Sequence, residues 1–171
     1  MTKEELLKQY GNPKVLGEGT WGTVYDIGDN QVLKITASES EFSAAQELVG
    51  KRLHYVVEFE EAMSLDGGPL FYIVREAIRP LTLDEDAQFN RVYDAVEAHY
   101  GKSKYILDVL KEYDPQFMRQ LKESDPELSV LYKWAVDCVE ELADNGVNLS
   151  DFTVDNIGKT KGGDLVMFDI Q

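Results

Sequence analysis

The chain has 171 residues, enough for one domain or two small lobes sharing a cleft, with 43% apolar and 29% charged residues. Its formal charge of −15, from 32 acidic and 17 basic side chains, repels duplex DNA and RNA, whose binding rests on phosphate neutralisation, and attracts basic partners. A single cysteine, Cys138, excludes an internal disulfide and a zinc site built on two thiolates.

The opening Met1-Thr2-Lys3-Glu4-Glu5 lacks the apolar stretch of a secretion signal, and no run approaches a membrane span. A cytoplasmic location, with neither membrane nor nucleic acid as partner, is the expectation.

Lys3 to Tyr10 reads as a short amphipathic helix stopped by Gly11-Asn12-Pro13. The texture then turns to β. Val15-Leu16, Thr23 to Ile27 and Gln31 to Ile35 are expected as three antiparallel strands, with a Gly-rich stretch after the first and Gly28-Asp29-Asn30 turning the second into the third. Ser38 with Glu41 three residues later forms a capping-box pattern opening a helix to about Leu53. Strands near Val56–Met63 and Leu70–Val74 flank the turn Ser64 to Pro69.

Beyond Pro80 the pattern is helical. Helices are expected at about Asp84–Tyr100, at Tyr105–Leu121 with a break near Asp114-Pro115, and at Pro126–Asn145. In the last, Leu128, Leu131, Ala135, Cys138, Val139 and Leu142 line one face, and Gly146 stops it. Two short strands close the chain, at Ile157-Gly158 and Leu165 to Phe168. The fold class is therefore α+β, a β-rich half followed by a helical half.

Gly17-Glu18-Gly19-Thr20-Trp21-Gly22 is a G-x-G-x-x-G sequence. Glycines let a backbone approach phosphate oxygens and offer them N–H groups. A β-type run follows instead of a helix, which favours a flap over phosphates rather than a dinucleotide fold. Lys34 sits among apolar residues in a strand and shares a face with Val32, so its charge needs a buried partner. Glu47 on the next helix is the first candidate and Glu41 the second. Toward the end, Asp151-Phe152-Thr153-Val154-Asp155-Asn156 has the form D-x-x-x-x-N, and Asp169 ends an apolar strand. An acid beside a second Asp and an Asn makes an oxygen-rich site suited to Mg²⁺. The two histidines, His54 and His99, have no Ser or Cys in a nucleophile-elbow context, which excludes a hydrolase triad.

Together these parts resemble the protein kinases and related phosphotransferases, in the order that family uses. The interval from Asp151 to Asp169 also matches. The resemblance runs from about Leu16 to Ile170. It implies a two-lobe fold: an N-lobe over 1–79 with a five-stranded antiparallel sheet, and a reduced helical C-lobe over 80–171 ending just after the metal-binding Asp. It also implies ATP and Mg²⁺ as cofactors. Gly17, Gly19, Gly22 and Val24 would cover the nucleotide. Lys34 would bind the α/β-phosphates, held by Glu47, and backbone groups of Glu76 and Ile78 would meet the adenine. Asp151 would be the catalytic base, with Asn156 and Asp169 as metal ligands. The implied activity is a phosphotransferase acting on protein Ser/Thr.

The chain also departs from the pattern. Leu149-Ser150 stand where the family has His-Arg, Ile170-Gln171 stand where it has Phe-Gly, and Arg75 borders the adenine pocket. No activation segment or Ala-Pro-Glu signature is present in the sequence. Similar reduction occurs in kinase-like proteins that phages and pathogens direct at host factors, an analogy that would place this chain in a host cytoplasm. The alternative is a pseudokinase-like protein that binds ATP and captures a partner, its acidity suited to a basic one.

Overall fold

The structure, a computed structural model, describes residues 1–170. Helix α1 (Lys3–Gln9) is opened by Thr2 and Glu5, which cap each other's backbone N–H groups. Strands β1 (Lys14–Gly19), β2 (Gly22–Gly28) and β3 (Gln31–Thr36) follow, then helix α2 (Glu39–Leu48) and strands β4 (Phe59–Ser64) and β5 (Phe71–Glu76). The five strands form one antiparallel sheet in the order β1-β2-β3-β5-β4.

Strand alternation separates the two faces of this sheet. Leu33 and Ile35 of β3, Tyr72 and Val74 of β5 and Tyr25 of β2 point outward, where Leu6 of α1 covers them. Opposite residues of paired strands share a face. Lys34, Val32, Val24, Ile73 and Arg75 therefore point inward together: Val24 lies opposite Lys34, Lys34 opposite Ile73, and Val32 opposite Arg75.

The chain leaves the sheet through β6 (Arg79–Pro80) and becomes helical: α3 (Leu83–Tyr100), α4 (Ile106–Lys111), α5 (Pro115–Ser124) and α6 (Pro126–Asp144). Pro115 at the start of α5, with Asp114 accepting from the N–H groups of Gln116 and Phe117, makes the expected break a clean helix boundary. A 3₁₀ turn at Val154–Asn156 leads into β7 (Ile157–Lys159) and β8 (Leu165–Met167). These two strands form a small sheet with β6.

One apolar core runs from Phe42, Ala45 and Leu48 of α2 and Ile73 of β5 into Val92, Tyr132, Ala135, Cys138 and Leu142 of the helical half. The halves are also stitched by polar bonds. The Glu141 carboxylate on α6 accepts from the backbone N–H groups of His54 (2.9 Å) and Tyr55 (2.8 Å). The next residues bond to β8, with Met167 N–H donating to the Tyr55 carbonyl (2.8 Å) and Val57 N–H to that of Met167 (3.0 Å). The strand preceding Asp169 is thus held from both sides. Among the described residues, no helix is long and apolar enough to cross a membrane.

Two sequence expectations shift. Helix α2 ends at Leu48 rather than near Leu53, because Gly50 takes a left-handed conformation and the chain is drawn away. The capping box at its start is half-made. Ser38 Oγ accepts from Glu41 N–H, but the Glu41 carboxylate does not return to Ser38; the Thr36 hydroxyl accepts from Ser38 N–H instead (3.1 Å).

Candidate functional site

The freed Glu41 carboxylate turns to Lys34. Lys34 Nζ lies 2.5 Å from Glu41 Oε1 and 2.9 Å from Asp169 Oδ1, so an amine from the middle of the sheet meets an acid from the tail. The pairing expected with Glu47 is corrected by geometry. Glu41 sits in the first turn of α2, on the buried face with Phe42, Ala45 and Leu48. Glu47 is six residues on, about 240° around a helix, and is exposed beside Gly146. Alternation could place Lys34; only the phase of α2 against the sheet could choose its partner.

Burial pushes the Glu41 carboxyl above its usual range, with Lys34 opposing that shift and Asp169 adding to it. The Thr36 hydroxyl, 3.0 Å from Glu41 Oε2 and 3.0 Å from the Trp21 carbonyl, ties the acid to the tip of the Gly-rich loop.

Arg75 adds a fourth charge. Only 5% exposed, its guanidinium lies 5.0 Å above the ring centre of Phe168, the residue before Asp169, and Nη1 donates to the Glu76 carbonyl (3.1 Å). Burial lowers the arginine's pKa, and the charges of Asp169 and Glu41 oppose that. Two cations and two anions thus share one largely dry space, which is how buried charge becomes tolerable.

The tail supplies Asn156 by hairpin register. Ile157 pairs with Met167, which brings the flanking Asn156 and Phe168 together, and Phe168 N–H donates to the Asn156 carbonyl (2.9 Å). Asn156 therefore sits beside the residue that precedes Asp169. Asp151 opens the loop that leads to Asn156. It is exposed, its Oδ1 accepts from Phe152 N–H (2.8 Å), and it lines a pocket of about 460 Å³ with Asp86, Asn90, Tyr93 and Asp155. Tyr93 anchors this loop by donating to the Phe152 carbonyl (2.9 Å). Burial, then the Asp151 charge, raises the phenol's pKa.

The Gly-rich stretch joins β1 to β2 as a tight turn, Gly19 opposite Gly22, with Trp21 57% exposed at its tip. A Cβ on Gly22 would lie 2.2 Å from the Ile35 carbonyl oxygen, so the packing of β2 on β3 requires glycine there. Around Gly17 and Gly19 there is open space, and neither has positive φ. Val24 is half-buried on the lysine face. At the exit of the sheet, Glu76 accepts from Asn30 Nδ2 (3.4 Å), and the Ile78 side chain lies where a Cβ on Gly158 would fall (2.4 Å). Residues that sequence reasoning passed over are Glu141, Thr36 and Tyr93, which position the site from behind. Nothing local marks Glu141 and Tyr93, which act 86 and 59 positions away, whereas Thr36 acts close by, on Ser38 and Glu41.

Glu85, His99 and Cys138 have structural surroundings. Glu85 completes a capping box with Thr82 and pairs with Arg79 (2.9 Å) and Lys159 (2.5 Å), which hold its carboxyl far below the usual range. His99 packs against Tyr100 and Phe117, and Cys138 is buried.

No family profile matches the chain, and no curated protein matches it. Among solved structures it is similar to the kinase domain of Mycobacterium tuberculosis PknI, at 14% identity and a TM-score of 0.46 over 92% of this chain. A cysteine-to-alanine mutant of that domain gives 13% and 0.47 over 92%. The chain spans 57% of the length of either domain. The chain has an α+β fold, a five-stranded antiparallel sheet followed by a helical half, in which an inward lysine is held by an α2 acid and met by the tail aspartate.

Proposed function

We propose that the chain is a Mg²⁺- and nucleoside-triphosphate-dependent phosphotransferase of the protein-kinase type, acting on Ser/Thr of a protein. One observation carries this reading: Lys34 and Asp169, 135 positions apart, meet at 2.9 Å with Glu41 holding the amine. A lysine point charge beside a carboxylate is what a triphosphate–Mg²⁺ unit requires, since phosphoryl transfer depends on positioning and charge neutralisation.

The glycines support it. Gly22 is explained by packing, whereas neither packing nor backbone conformation demands glycine at 17 and 19. Close approach of backbone N–H groups to phosphate oxygens supplies that missing reason. Donor chemistry also fits the metal. Among the described residues no three His, Cys, Asp or Glu side chains gather into a cation cluster. Asp169 and Asn156 are two oxygen donors, suited to Mg²⁺ shared with phosphates rather than to a closed protein cage. When bound, the ion would offset charge developing on the phosphates. In this reading Lys34 moves from Asp169 to the α/β-phosphates while Glu41 keeps its hold, and Gly17, Gly19, Gly22 and Val24 cover the nucleotide. Asp151 orients the acceptor hydroxyl and takes its proton late in transfer. ATP is the donor the family resemblance implies.

The test is transfer of label from γ-labelled ATP and GTP, with Mg²⁺, to proteins of a cell lysate and to the chain itself. Transfer should fall at least 100-fold in Asp169→Ala and Asp151→Asn. Transfer equal in wild type and both variants would refute it.

A second reading is favoured by the net charge of −15: a pseudokinase-like protein that captures a basic partner through its acidic surface. Partner capture unchanged in Lys34→Met and Asp151→Ala, with no label transfer, would select it.

A further inference from the structure

We propose that the cleft between helix α6 and the end of α4 is a docking site for a basic amphipathic helix of a partner protein. This gives the partner-capture reading a place on the surface, and it rests on that reading only for the sign of the partner's charge.

The cleft has a volume of about 680 Å³ and shares no residue with the Lys34 cluster or with the cavity at Asp151. Along α6 its lining is one stripe, with Val136, Glu140, Ala143 and Asp144 at the three- and four-residue spacing that puts side chains on one face. From Lys133 to Asp144 that stripe rises about 17 Å, three helical turns. The rest comes from the end of α4 and the segment after α6. Leu110 is 2% exposed and Val139 and Val147 are 5% exposed, so the floor is apolar.

The rim charges do not cancel. Lys133 is paired with Asp137, and the Lys111 amine donates to the Leu149 carbonyl (3.4 Å). Glu140 and Asp144, one turn apart and exposed, make no hydrogen bond or ion pair among the described residues. An apolar floor beneath two free carboxylates is the complement of a helix that carries apolar residues with Lys or Arg beside them. No lining residue belongs to a strand, so no sheet edge is offered to an extended peptide, whereas a helix arrives with its backbone bonds already made. The net charge of −15 disfavours a second copy of this chain as the occupant.

The test titrates the whole chain with three labelled synthetic peptides of about 14 residues, enough for three turns with their ends. The first has leucines at helical spacing and lysines elsewhere, the second has glutamates for the lysines, and the third has the first's composition with its leucines out of helical register. At 0.15 M salt the general field is screened beyond about 8 Å. By fluorescence anisotropy the first should bind tenfold or more tightly than the other two. Its affinity should fall at least tenfold when Glu140→Lys and Asp144→Lys are combined, and equally in Ala143→Trp, which fills the cleft from an exposed position. Glu60→Lys with Glu123→Lys, the same charge change at exposed sites outside the cleft, should alter it no more than about twofold.

The comparison of three peptides on the wild-type chain stands even if a variant fails to fold. Equal losses in the two double variants would assign binding to overall charge, and undiminished binding in Ala143→Trp would place the helix elsewhere. Either overturns the cleft and leaves partner capture standing. The glutamate peptide bound as tightly as the lysine one overturns it too, as does a dimer in sedimentation that Ala143→Trp dissolves. Binding of none of the peptides removes the cleft and the basic partner together, and label transfer tests the phosphotransferase reading separately.

Discussion

At the scale of single residues, the site is a contest between desolvation and pairing. Glu41 loses water and gains Lys34, and burial wins, since its carboxyl titrates above the usual range. A carboxyl whose folded-state pKa exceeds its unfolded value of about 4.3 contributes its full stability below that value and loses it as pH rises through the raised one. Glu41→Gln mimics the protonated acid. The variant should therefore match wild type in Tm near pH 4 and become the more stable of the two as pH rises toward 8, while binding Mg²⁺–triphosphate about tenfold more weakly because Lys34 loses its holder. Glu47→Gln should change neither quantity, as Glu47 is exposed and away from Lys34. Thermal melts of the three proteins at several pH values, with and without nucleotide, check all of this. A Glu41→Gln variant that loses stability steadily with rising pH would contradict the assigned balance.

Among elements, the Gly-rich turn separates what packing needs from what a ligand needs. Gly22→Ala forces a Cβ to 2.2 Å from the Ile35 carbonyl, so β2 must move away from β3, at a cost of about 2 kcal/mol. Gly17→Ala and Gly19→Ala meet open space and should change stability by no more than about 0.5 kcal/mol. If these two positions serve phosphates, both variants should nonetheless weaken nucleotide binding. Chemical denaturation alongside nucleotide titration distinguishes the outcomes, and unaltered binding in both would remove the phosphate role. The hairpin of β7 and β8 is the other informative element. It is short, yet its register sets Asn156 beside Phe168, and its second strand is bonded to residues 55–57 as well. Asp169 is thereby carried on a strand fixed from both sides.

For the molecule as a whole, the decisive property is charge. A net −15 on 171 residues repels itself, and that repulsion is screened when the Debye length shrinks from about 30 Å at 0.01 M salt to about 8 Å at 0.15 M. Stability should rise over that range, because few cations are available to offset the surface acids. The Lys34–Glu41–Asp169–Arg75 cluster, being buried, should respond little. Urea unfolding at the two salt concentrations measures the effect, and a fall in midpoint with added salt would mean that surface ion pairs outweigh the repulsion.

The sequence by itself determined the order of elements. Alternation in β3, the turn residues around it, the break at Asp114-Pro115 and the apolar face of α6 are local patterns, and local patterns depend on neighbours within a few residues. It also placed Lys34 on the inner face, since a strand has a period of two. What the tertiary structure alone decided is which distant group each side chain meets. Glu41 rather than Glu47 holds Lys34 because the entry angle of α2 onto the sheet sets its rotational phase, and Ser38 and Thr36 fix that entry. Arg75 takes the Glu76 carbonyl because Phe168 comes beneath it from the far end of the chain. Contacts between separate elements, whether Lys34 with Glu41 or Arg75 with Phe168, depend on how those elements are oriented, and no local pattern encodes that orientation.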